Sequence, residues 1–303
     1  MRSTILFTVL AVIASGKPCN SDGLNCGDSL TRITLPDGYT ATVFATGING
    51  VDGLAFSSKG YLYAVSEGDG AVYRIDKSGS AIIIAEGLVN PEGIAVDSSE
   101  SIYVTEDIEY GRLIAIEPSG NVEVLADSLQ YPEGVAWICD GSLAVTESSL
   151  EAISLPPVLT GVLRVDTSGS SPIFSSLYLW SFSDLIADNG GMLYVCNELS
   201  GYGFIRTSLL RIDPLSGEWE VFCRGLRACE GICSSDKGFF PLYVVEEDMG
   251  EGSGRLSIVD ENGATTVFAQ GFNNIEDVAV DPSGGIYISE DTTGMIILIR
   301  RED

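Results

Sequence analysis

Acidic side chains recur at two fixed points of a repeating unit, and they are the chain's most plentiful source of chemistry. The first set reads Asp52, Glu92, Glu133, Ser183-Asp184, Glu230 and Glu276-Asp277. The second reads Ser66-Glu67, Glu106-Asp107, Glu147, Asn197-Glu198, Glu246-Glu247 and Glu290-Asp291. Two unit charges about 6 Å apart repel by roughly 3 kcal/mol at an effective dielectric near 20. Several such pairs around one axis therefore need shared protons, backbone donors, arginines or a bound cation. Oxygen-only ligands without histidine or thiolate favour a hard ion, Ca²⁺ above others. The chain has no histidine to act as a base, no Cys-x-x-Cys pair and no phosphate-cradling loop. What remains is a metal-polarised carbonyl with a carboxylate as base for attack by water. A residue present in every unit also has a constructional reading, as an acceptor for the neighbouring unit's backbone.

The unit that carries these acids is visible as a repeat. It reads GLVNPEGIAVDSSESIYVTED from Gly87, SLQYPEGVAWICDGSLAVTES from Ser128 and GFNNIEDVAVDPSGGIYISED from Gly271. β-branched and aromatic runs alternate with Gly, Asp, Ser and Asn turns, and no stretch sustains a 3.6-residue period. Each unit divides into four short strands, and six units begin near Asp52, Glu92, Glu133, Asp184, Glu230 and Glu276. Such units, stacked so that each buries its neighbour's faces, predict an all-β fold: a six-bladed β-propeller with four antiparallel strands per blade. The last unit ends after its third strand, whereas an unpaired strand, Tyr39 to Phe44, precedes the first. That N-terminal strand is expected to close the last blade and remove an exposed edge. Both acid sets then gather at one mouth of the axial channel. Turns such as Asp97-Ser98-Ser99 and Asp281-Pro282-Ser283 lie on the far face as simple turn formers.

The expected organisation is a signal peptide over residues 1–16, a leader over 17–37 and the propeller over 38–303. Arg2 followed by the apolar run Ile5 to Ile13 and the small residues Ala14-Ser15-Gly16 has the pattern of a cleaved export signal. Seven cysteines agree with a secreted or periplasmic location, and Cys19 and Cys26 are spaced to form a disulfide within the leader. The net charge of −27 excludes nucleic-acid backbone as a partner, and no later segment is long enough for stable membrane insertion. A small-molecule substrate or ligand fits better, and a protein partner at the mouth remains compatible. Loops within the third and fourth units, Ser148 to Thr160 and Leu199 to Thr207, would shape that mouth, with Tyr110, Arg112, Tyr202 and Arg206 reaching a substrate.

Pro91-Glu92-Gly93-Ile94-Ala95-Val96 with Ile102-Tyr103-Val104-Thr105-Glu106, and their counterparts at Pro132 and Ile275, resemble the regucalcin/gluconolactonase (senescence marker protein) superfamily. NHL-repeat propellers and strictosidine-synthase-like proteins are similar too. The first resemblance implies a divalent ion, often Ca²⁺, on the axis and hydrolysis of a lactone or related ester. Its first-blade acid falls on Asp52, its mid-blade ligands on Glu133 and on Ser183 or Asp184, and its fifth-blade base and ligand on Glu230. The implied metal set is Asp52, Glu133, Asp184 and Glu230, with Glu230 catalytic. Glu92, Glu276, Glu106, Glu147, Asn197, Glu246 and Glu290 would form the surrounding substrate ring. Glutamates stand here where that superfamily has asparagines, so the site would be more negative. The NHL likeness implies instead a non-catalytic propeller that binds through its acidic mouth, and the strictosidine-synthase likeness a lyase or condensing enzyme.

Overall fold

The computed structural model describes residues 30–148, 160–176, 181–197, 208–247 and 252–302. The export signal, Cys19, Cys26, Glu198, Tyr202, Arg206 and most of the two long loops lie outside the described residues.

Among the described residues, twenty-four strands form six four-stranded antiparallel sheets, five of them built from consecutive strands. The inner strands are Val51–Phe56, Pro91–Val96, Pro132–Trp137, Phe182–Ala187, Ala228–Ser235 and Ile275–Val280. The sixth sheet takes its outer strand from the start of the chain: Tyr39–Thr46 pairs antiparallel with Met295–Arg301, in register Tyr39 to Arg301 and Thr46 to Met295. Ring closure is therefore by backbone hydrogen bonds between the two ends of the described chain, as the sequence predicts. The segment before that strand is tied down as well. Thr34 bridges Gln270 on blade five's outer strand, and Leu30, Ile33 and Leu35 pack onto the core beside Phe272 and Ile275. It covers part of an edge that would otherwise present open backbone groups.

The core lies between blades, where second and third strands bring Ile, Val and Leu against the next blade's inner strand. Val104, Ile114 and Ile116 meet Tyr63 and Val72 in one such layer, and Leu193, Val195 and Leu210 meet Val162 and Phe174 in another. Tyrosines of the second strands stack edge-on with aromatics across the seam, as Tyr103 does with Trp137 at 4.9 Å and Tyr194 with Phe240 at 5.7 Å. Far-face turns behave as simple turn formers: Asp97 Oδ1 accepts the Ser99 and Ser101 amides at 2.8 and 2.9 Å. Among the described residues no helix is long and apolar enough to cross a membrane.

Candidate metal centre

Every inner strand breaks register at the same point. Val51 faces Ser66 and Leu54 faces Ala64, so Asp52 and Gly53 together oppose Val65 alone. The same two-against-one bulge sets Glu92-Gly93 against Thr105, Glu133-Gly134 against Thr146 and Ser183-Asp184 against Cys196. It also sets Glu230-Gly231 against Val245 and Glu276-Asp277 against Ser289. A bulge re-aims its side chains, and the first residue of each pair lines the axial channel. The second residue runs against the neighbouring blade: a Cβ on Gly53 would lie 2.2 Å from Glu92 O, and one on Gly93 2.0 Å from Glu133 O. Glycine is required there by simple lack of space.

Side chains lock one bulge to the next. Thr105 Oγ1 accepts the Gly93 amide at 2.8 Å and donates to Glu133 O. Thr146 Oγ1 accepts the Gly134 amide at 2.7 Å and donates to Ser183 O at 2.6 Å. Two blades replace glycine by aspartate and use its carboxylate for the same purpose. Asp184 Oδ2 accepts the Ile232 amide at 3.1 Å, and Asp277 Oδ2 accepts the Leu54 amide at 2.6 Å.

This register decides between Ser183 and Asp184. Ser183 holds the ring position, donating to Cys229 O at 2.6 Å and Glu230 O at 2.9 Å, and Asp184 holds the glycine position. Blade four thus adds no acid to the ring itself.

The channel has a volume of about 490 Å³ and is lined by nine acidic residues, with no lysine or arginine among its lining. Four of them, Asp52, Glu92, Asp107 and Glu133, stand on blades one to three. Carboxylate oxygens of Asp52, Glu67 and Glu92 lie within 4.8 Å of one another, as do those of Glu92, Asp107 and Glu133. Glu92 belongs to both groups. Among the described residues, Asp184, Glu230 and Glu276 belong to neither, although all three line the same channel. Of the expected metal set, the fold therefore gathers Asp52 and Glu133 around Glu92 and leaves Asp184 and Glu230 on the other wall.

Burial and crowding act together on these groups. Burial first, then the charges of Glu276, Glu67, Asp277 and Asp291, push Asp52 well above the usual carboxylate range. Glu92 is raised likewise by burial, then by Glu133, Asp52 and Asp107. Burial lifts Asp107 to about 6, with Glu67 adding to the rise while hydrogen bonds from Glu92 and Asn90 oppose it. Asp184 is pushed up to about 7 by burial against the pull of two backbone amides. Such acids hold protons near neutrality unless a cation replaces them. A hard cation fits the donor set, which is oxygen throughout, and Asp107 Oδ1 is a buried oxygen with no hydrogen-bond donor.

Second-strand ends tell a different story. Glu106, Glu147, Asn197, Glu246 and Glu290 do not line the channel. Glu106 accepts the Val89 amide at 2.9 Å and a two-pronged contact from Arg112. Glu147 accepts the Gln130 amide at 2.9 Å. Glu246 takes Arg255 at 2.6 Å and Ser257, and Glu290 takes the Asn273 amide and Thr293 Oγ1, both at 2.8 Å. Asn197 Nδ2 reaches Ser208 Oγ at 3.4 Å. The four glutamates each hold an amide of the loop that enters the inner strand of their own blade. Arg112 is likewise committed to Glu106, whereas Tyr110 is exposed. The residues that strand reasoning undervalued are Glu67 and Asp107, one position further on. Alternation turns consecutive residues to opposite sides, so Asp107 and Glu247, not Glu106 and Glu246, line the channel. The constant 17-residue separation between Glu106 and Val89, Glu147 and Gln130, and Glu290 and Asn273 was the available signal.

No protein-family model matches the chain, and no curated protein sequence does. Solved structures do match in fold. A gluconolactonase from Xanthomonas campestris superposes with a TM-score of 0.71 at 12% identity, covering 99% of each chain. The PQQ domain of a pyranose dehydrogenase from Coprinopsis cinerea gives 0.69 at 12% identity, covering 89% of this chain and 97% of that one. A virginiamycin B lyase from Staphylococcus aureus gives 0.59 at 12% identity, covering 88% and 99%.

Proposed function

We infer an enzymatic role for the chain, supported by the fold it shares with a gluconolactonase and a virginiamycin B lyase. We propose that it is a hydrolase of a lactone or related ester that depends on a hard divalent cation, Ca²⁺ by donor chemistry. Glu92 would hold the cation, together with Asp52 and Glu67 on one side or Asp107 and Glu133 on the other. The carrying observation is the pair of three-acid groups that share Glu92 in a channel lined by no basic side chain. When bound, such an ion supplies Lewis-acid polarisation of the scissile carbonyl.

The remaining work falls to side chains of the chain itself. Blade five stands across the ring from blade two, so Glu230 faces the acid cluster over the channel. Its carboxylate would take a proton from water as the water oxygen attacks the carbonyl carbon, and return it to the departing ring oxygen. The product is a hydroxy acid. Ile94, Val135, Leu185 and Ile232 line the channel below the acids and would exclude bulk water from a bound ring. We also take the protein to be exported, on Arg2 and the apolar run that follows; the mature N-terminus, sequenced from secreted material, tests this.

Chelator-stripped protein should regain bound Ca²⁺ by elemental analysis and hydrolyse at least one member of a lactone and ester series only in its presence. Glu92→Gln should lose the ion and the activity, whereas Glu230→Gln should keep the ion and lose the activity. An ion bound with no hydrolysis across the series would overturn the enzymatic part and leave a ligand-binding propeller.

A further inference from the structure

A second cavity, of about 400 Å³, opens on the face opposite the acid mouth, in the seam between the last blade and the first. Phe44, Phe56, Leu62, Ile75 and Tyr287 wall it, and Lys77 and Arg300 stand at its rim. Tyr287 meets Phe44 and Phe56 edge-on, at 4.9 and 5.0 Å. The strand register explains why this seam is open. Leu62 pairs with Ile75 as Leu242 pairs with Val259, so Gly60 occupies the position that Phe240 occupies between blades four and five. There the Phe240 ring lies 5.7 Å from both Tyr194 and Phe222 and fills the seam. Between blades one and two the same position is Glu100, buried against the Tyr63 hydroxyl at 3.2 Å. Between blades two and three a larger ring, Trp137, stands where this seam has only Phe56. The cavity is thus a missing aromatic ring.

Its polar rim is not neutral in function. Asp76 Oδ1 is taken by Ser78 and Ser80, and Asp281 by Ser283, Gly285, Tyr287 and Arg300. Lys77 is exposed and has no partner among the described residues, and the Arg300 side chain is 53% exposed. We propose that this seam is a binding site for a small aromatic carboxylate, its ring in the space that Phe240 fills elsewhere and its carboxylate on Lys77 and Arg300. Pockets of this size with an apolar wall and two or three convergent polar groups commonly hold small ligands, and a guanidinium suits a carboxylate. The site shares only Phe56 with the channel lining and does not depend on the reading given for it.

The test uses 4-fluorobenzoate with the intact protein, followed by fluorine line broadening and by amide shifts in labelled protein. Saturable millimolar binding is expected, with shifts at Gly60, Lys77 and Ser283, unchanged by chelator. Lys77→Glu, an exposed substitution that leaves the fold alone, should weaken it roughly tenfold, the worth of about one charge-assisted hydrogen bond. Phe56→Trp, copying the ring of the second seam, should abolish it. Binding of benzyl alcohol or benzylamine as strong as that of the carboxylate would overturn the proposal, as would shifts confined to the channel or no saturation at all.

Discussion

Two sets of carboxylates sit at the near ends of the first two strands of the blades, and they meet opposite fates. Glu106, Glu246 and Glu290 are almost wholly buried, yet each is met by amides, hydroxyls or a guanidinium. Asp52, Glu92 and Asp107 are only partly buried, yet what surrounds them is largely other carboxylates. Burial alone therefore does not identify a functional acid; the supply of donors does. The first set closes the repeat, and the second leaves negative charge for something outside the chain to satisfy.

Removing an acid from each set separates the two roles. Glu246→Ala leaves Arg255 without its buried partner and should destabilise the cation-free protein by about 3 kcal/mol, lowering Tm by roughly 6–12 °C. Glu92→Gln should do the opposite and raise the cation-free Tm, because it relieves crowding by Glu133, Asp52 and Asp107. A Tm loss of the Glu246 size in Glu92→Gln would erase the distinction.

Thr105→Val tests the lock between blades two and three. It removes the acceptor of the Gly93 amide and the donor to Glu133 O, and should cost about 1–2 kcal/mol in chemical denaturation. It should also weaken cation binding, since Glu133 rides on that bulge.

The pH dependence has a definite sign. Asp107 at about 6 and Asp184 at about 7 bind protons more tightly folded than unfolded. Between the ordinary aspartate value and neutrality the folded state therefore holds more protons, and stability falls as pH rises. Cation-free protein should melt higher at pH 5 than at pH 7.5, and saturating Ca²⁺ should flatten that slope. Below about pH 4 the trend reverses, as the turn carboxylates Asp76, Asp97 and Asp281, held low by their hydrogen bonds, become protonated. The smallest effect belongs to those turns: Asp97→Ala should cost about 1 kcal/mol in denaturant titration and leave cation binding untouched.

The propeller and its closure were legible because a repeat states its own architecture. Pro91-Glu92-Gly93 and its counterparts mark inner strands, and the strand Tyr39–Thr46 ahead of the first unit pairs with Met295–Arg301. The mouth was legible as a region, and Asp52, Glu92 and Glu133 as members of it. Register at single-residue resolution was not. A bulge shifts side-chain direction by one position, so Asp184 read as an equal of Glu230 and Glu106 as an equal of Asp107. Only the pairing of Phe182 with Asn197 and of Pro91 with Glu106 resolves them.

Calorimetric titration of Ca²⁺ into chelator-stripped wild type and Glu92→Gln, side by side, bears most directly on the donor-poor cluster. Saturable binding by wild type, weakened at least a hundredfold in the variant, is the result expected. Equal affinity in the two proteins, or no heat from either, would contradict it.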